Sequence, residues 1–174
     1  MGSRTLFQMF QETVQKHASR RAVGFKVSKT AEYTYWTYAE LNDRVLRFRR
    51  GLDALGLAKG DRIALLAENR VEWAIADLAA QGLGMINVAP YSSLPAAQVA
   101  YIVRDSGARI LVLSDAKQRA KLREIQPQCP RLEFVVSMDG EQEKLAAENI
   151  LGFEEIYTRG ERSGRDNAEL DRIA

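Results

Sequence analysis

Arg62-Ile63-Ala64-Leu65-Leu66-Ala67 and Arg109-Ile110-Leu111-Val112-Leu113 carry contiguous apolar side chains with no polar alternation. A strand with one wet face alternates, whereas one covered on both faces does not. These two runs therefore predict strands of a parallel sheet lying between helical layers. Between them the period changes. Residues 71–83 are apolar almost all round and predict a deeply packed helix. Residues 85–88 fit a further strand. Residues 96–105 fit a helix with Pro95 near its first turn and Gly107 at its close. Ser114 or Asp115 is placed to cap a helix over 116–125, and 132–136 reads as a last strand.

Upstream, Tyr38, Leu41, Val45, Phe48, Leu52 and Leu55 step by threes and fours, which is one stripe of a helix. Thr37 and Glu40 form a capping box at its start, and Gly56 suits a left-handed stop. Its arginines, Arg44, Arg47, Arg49 and Arg50, read as a solvated outer face. Ahead of it, a β-hairpin is expected over 22–37, with Ser28-Lys29-Thr30 at the turn. A first helix over 5–17 is capped by Thr5 and Gln8. The alternation of helix and strand over 37–136 gives an α/β fold, a three-layer α/β/α arrangement with a mostly parallel sheet. Past Ser137 the signal weakens. Residues 141–148 fit a helix, and 153–157 hold a little apolar content. The organisation expected is an α/β subdomain over 1–157 and a charged, Gly-containing linker over 158–174. The stop at Ile173-Ala174, without a cap or closing strand, reads as an interrupted sequence.

The 46% apolar and 28% charged content suits a globular domain, and a net charge of +2 gives no basic field for nucleic acid. The most apolar stretch, 74–90, is broken by Asp77, Gln81 and Asn87, so no transmembrane segment is expected. Met1-Gly2-Ser3-Arg4 lacks the apolar core of a signal peptide, and a lone Cys129 excludes an internal disulfide framework. The expectation is a cytoplasmic protein, with peripheral membrane association open for the parent protein.

Catalytic groups are scarce. His17 is the one histidine and has no evident partner, and Cys129 sits between Pro127 and Pro130. Gly82-Leu83-Gly84 closes a helix instead of opening one, which suits close packing or a helix stop better than a phosphate cradle. Arg159-Gly160-Glu161-Arg162-Ser163-Gly164 lacks the lysine of a P-loop. Trp36, Trp73, Tyr91 and Tyr101 are placed as core aromatics or as pocket walls. From the residues alone no catalytic, cofactor-binding or metal-binding position is assigned.

The run Ala67-Glu68-Asn69-Arg70-Val71-Glu72-Trp73 through Ala76-Asp77-Leu78-Ala79 is distinctive. So are Asn87-Val88-Ala89-Pro90-Tyr91-Ser92-Ser93-Leu94-Pro95, Gln98-Val99-Ala100-Tyr101-Ile102-Val103 and Asp105-Ser106-Gly107-Ala108-Arg109. With Tyr35-Trp36-Thr37-Tyr38-Ala39-Glu40-Leu41 and Lys59-Gly60-Asp61-Arg62-Ile63-Ala64, they resemble the N-terminal region of the AMP-forming acyl-CoA synthetases, in the adenylate-forming superfamily. The resemblance covers residues 5–136 and is nearest the long-chain fatty-acid branch. Ala89, where many members carry Val or another residue, departs in packing more than in chemistry.

The resemblance implies a parent enzyme that uses ATP, Mg²⁺ and CoA to turn a fatty acid into its acyl-CoA, through an acyl-adenylate. The family's Ser/Thr/Gly-rich loop, Thr-Glu pair, ribose-binding Asp and C-terminal lysine have no counterpart here, so the fragment itself is expected to be inactive. Trp73, Pro90 and Tyr91 are candidates for an acyl-pocket wall, set against plain core or loop packing. The expected partner is the remainder of the parent enzyme. Two other readings stand beside this one: a stand-alone α/β module binding a ligand at the carboxyl ends of the sheet, and a homodimer formed through uncovered surface.

Overall fold

In a computed structural model, which describes residues 4–26 and 32–173, the hydroxyl of Thr5 accepts from the Gln8 amide and Gln8 reciprocates at the Thr5 N–H. This closes the first turn of α1 (Leu6–His17), whose one buried residue is Phe7. β1 (Arg21–Phe25) and β2 (Thr34–Thr37) pair antiparallel, as expected of the hairpin. The Ser28-Lys29-Thr30 turn lies outside the described residues. Thr37 and Glu40 form the second capping box, opening α2 (Tyr38–Ala54), and Gly56 follows it at φ +75°. That backbone region is costly for side chains with a Cβ.

The chain then alternates β3 (Arg62–Leu66), α3 (Val71–Gly82), β4 (Ile86–Val88), α4 (Ala96–Ser106) and β5 (Ile110–Leu113). Asp115, not Ser114, caps the next segment by accepting from the Gln118 amide. That segment breaks into two short helices, α5 (Ala116–Arg119) and α6 (Leu122–Ile125), and a 3₁₀ turn that includes Pro127. β6 (Phe134–Ser137), α7 (Gln142–Ala147), β7 (Leu151–Gly152), α8 (Phe153–Arg162) and α9 (Asn167–Ile173) complete it.

Five strands form one parallel sheet in the order β4-β3-β5-β6-β7. The two apolar runs pair directly: Ile63 with Ile110 through Leu66 with Leu113. Alternate side chains feed separate cores. Ile63, Leu65, Ile110 and Val112 join α1, α2, α3 and α8 on one face, while Ala64, Leu66, Leu111 and Leu113 join α4 and α6 on the other. Contiguous apolarity is thus explained by two wet-free faces.

Two expectations need correction. In the segment 158–174, expected to be a linker, 158–162 and 167–173 are helical, the first because Phe153, Ile156, Tyr157 and Gly160 form a stripe that packs on α2. Phe153 stacks on Phe48 with ring centroids 4.4 Å apart, and Tyr157 meets both rings edge-on. The backbones approach so closely at Gly51 and Gly160 that a Cβ at Gly51 would lie 2.1 Å from the Ile156 carbonyl oxygen. The arginine face of α2 is also largely covered, by several elements, and not simply solvated. Arg47 donates to Glu161, Arg44 lies over Trp36 at 3.8 Å, and Arg49 is 1% exposed. Gly82 and Gly84 fill the two roles expected. A Cβ at Gly82 would stand 2.9 Å from the Phe7 ring, and Gly84 takes φ +69° at the helix stop.

Candidate functional site

The strand order reverses direction between β3 and β5, and open parallel sheets bind ligands in the crevice at the carboxyl ends beside such a point. Here the segment after β3 brings Glu68 and Arg70, the corner after β5 brings Ser114 and Gln118, and the turn after β6 brings Asp139.

Glu68 accepts from the Ser114 hydroxyl at 2.5 Å and from the Gln118 amide at 3.0 Å. The Ser114 bond, aided by other hydrogen bonds, holds the Glu68 carboxyl below its ordinary value against the opposing effect of burial. Gln118 also donates to the Ser92 carbonyl, and Lys121 donates to the Ser92 and Leu94 carbonyls at 2.8 Å. Together they pin the loop that follows β4. Arg70 grips both oxygens of Glu72, reaches Asp139 at 2.8 Å and donates to the Ser114 carbonyl. The Asp139 bond is the main reason its guanidinium lies above the ordinary arginine value. Arg119 closes the set, donating to the Ser137 hydroxyl and the Asp139 carbonyl.

Beside this cluster an open cavity of about 770 Å³ runs between the hairpin (Val23 to Lys26) and the start of α3 (Asn69 to Glu72). A second cavity of about 450 Å³ shares Phe25, Val71 and Glu72 with it and is walled by Trp36, Phe153 and Tyr157. Burial pushes the Tyr157 phenol up, so it stays protonated there. Chemically, the crevice presents paired charges and apolar wall. Cys129 lies elsewhere, 4% exposed, donating to the Ala100 carbonyl, and burial pushes its thiol up. Among the described residues no three His, Cys, Asp or Glu side chains group as metal ligands.

The residues singled out in the sequence fall in different settings. Trp73 is half-buried against the core shared by α2 and α3. Pro90 is buried, and Tyr91 is 79% exposed, so solvent surrounds most of its ring. None of the three lines the two crevice cavities. Glu68, Arg70, Gln118 and Asp139 carry no role assigned from sequence, and Ser114 only that of a possible helix cap. The signal available was Glu68-Asn69-Arg70 following a buried strand.

A family model described as AMP-binding enzyme matches residues 10–166. The chain belongs to this family. Among relatives of the AMP-binding enzymes, long-chain-fatty-acid–CoA ligase ACSBG2 of Xenopus laevis is 27% identical over 169 residues, 97% of this chain and 22% of that protein. Surfactin synthase subunit 2 of Bacillus subtilis is 34% identical over 109 residues, 63% of this chain and 3% of that protein. The crystal structure of the N-terminal domain of FACL13 from Mycobacterium tuberculosis matches with a TM-score of 0.73 at 24% identity, covering 95% of this chain and 38% of that one. The chain thus spans about a fifth or less of these two curated relatives. It has the α/β fold of adenylate-forming enzymes, with long-chain-fatty-acid–CoA ligases among its homologues. No helix among the described residues is long and apolar enough to cross a membrane.

Proposed function

We propose that the chain is the N-terminal portion of a fatty-acid–CoA ligase and supplies scaffold, not chemistry, to it. The carrying observation is the alignment of 97% of the chain with 22% of a long-chain-fatty-acid–CoA ligase. In the whole protein a fatty-acid carboxylate oxygen attacks the α-phosphate of ATP and pyrophosphate leaves. The CoA thiolate then takes the acyl group and releases AMP. On this reading Mg²⁺ and ATP are held by other parts of the whole protein.

The role of this portion follows from its carboxyl edge. The Glu68–Ser114–Gln118 and Arg70–Glu72–Asp139 bonds hold three chain segments in one fixed crevice wall, against which the rest of the enzyme packs. The test is a product assay on the longer protein with fatty acids of graded chain length. Acyl-CoA, AMP and pyrophosphate in equal amounts are expected. ADP in place of AMP, or turnover that does not depend on a carboxylic acid, would overturn the reading.

A further inference from the structure

Arg49 is 1% exposed, yet its guanidinium has a single hydrogen-bond partner among the described residues. Nη1 donates to Asp171 at 2.5 Å, and Nε and Nη2 have none. These two nitrogens are the side-on fork of an arginine. Arg109 uses the same pair on the two oxygens of Glu133, and Arg47 uses it on Glu161. The fork matches two oxygens of a carboxylate or a phosphate, and leaving it empty in a buried place is costly.

Arg49 lines a cavity of about 550 Å³ at the far end of α3 from the crevice, beside Gln81, Gly82 and Gly84. The Phe7 ring centroid lies 5.2 Å from the guanidinium carbon, and both side chains pack against Gly82, where a Cβ would stand 2.9 Å from the ring and 3.2 Å from Arg49 Cδ. Both acids on the wall are already engaged: Glu12 pairs with Arg4 at 2.9 Å, and Asp171 pairs with Arg49 itself. Gln15, exposed at the cavity wall, adds an amide able to donate.

We propose that this cavity binds a small oxyanion, a phosphate or carboxylate group of a metabolite, held bidentately by Arg49. The unpaired nitrogens are covered and the Phe7 ring lies over the guanidinium, so binding requires that ring to be displaced. The site lies a helix length away from the crevice and stands independently of the ligase reading.

The test is equilibrium dialysis of the full chain with orthophosphate and, separately, acetate, at ionic strength fixed with chloride. Saturable binding of one oxyanion per chain is expected, weakened at least about tenfold in Arg49→Met and less in Arg49→Lys, which keeps the charge without the fork. Phosphate alone or acetate alone assigns the class of group. Failure of both to saturate, or equal affinity in Arg49→Met, overturns the proposal. If Arg49→Met does not fold, Gln15→Glu carries the test. A carboxylate at the wall weakens binding, and unchanged affinity there overturns it.

Discussion

Arg70 and Arg49 mark opposite ends of α3, about 18 Å apart along a helix of that length, and are satisfied in opposite ways. Arg70 is 27% exposed and every one of its nitrogens donates, to two carboxylates and a carbonyl. Arg49 is sealed in and, among the described residues, donates once. A cation that is half-wet and fully paired fixes neighbouring segments. A cation that is dry and half-paired costs desolvation without return until something fills its fork. The carboxyl edge is therefore finished architecture, whereas the amino-terminal cavity is an incomplete polar site.

The packing of α2, the helix that carries Arg49, is the first place to break this contrast. Gly51→Ala drives a methyl into the Ile156 backbone, so α8 must lift from α2. A loss of about 3 kcal/mol is expected in urea unfolding, with an increased exposure of the α2 arginines. Near-neutral behaviour would mean that α8 is not packed as described. Next in size is Arg70→Met, expected to lose about 1–2 kcal/mol, since it strands Glu72, Asp139 and the Ser114 carbonyl in a partly screened setting.

Arg49→Met sharpens the contrast by its sign. In oxyanion-free buffer it should leave stability within about 1 kcal/mol of the starting chain, on the stable side, because it removes an under-paired buried charge and leaves Asp171 62% exposed. A loss as large as that of Arg70→Met would show that the two arginines are structurally equivalent. The smallest effect is in acid. Glu68 has a depressed folded value, so its contribution is present above the unfolded value near 4.5 and is lost as pH falls through the lower folded one. Stability of Glu68→Gln, followed by thermal melts from pH 6 to 3, should fall less steeply over that window. An identical acid limb would remove Glu68 from the latch.

The sheet was legible because Ile63 to Leu66 and Ile110 to Leu113 had to be apolar on both faces, and the caps were legible because Thr37 and Glu40 act locally. The α8 stripe was harder to read, since one of its four positions is a glycine whose role is to be absent, letting α2 approach. The arginines of α2 misled for a related reason. A charge run has no marker for which member the later helices will bury, and Arg49 differs from Arg50 only in the direction it projects. Glu68, Arg70 and Asp139 are brought together by the crossovers of the sheet, and no local spacing announces that meeting. Among the pocket-wall candidates, the exposure of Tyr91 depends on what lies against it, which a sequence motif does not state.

The most direct measurement is ATP–pyrophosphate exchange by this chain, shown to be folded, with Mg²⁺ and a panel of fatty acids. The account predicts no exchange above background with any acid. Exchange that follows the protein through purification and saturates with a fatty acid would contradict it, placing an adenylation centre within residues assigned here to scaffold.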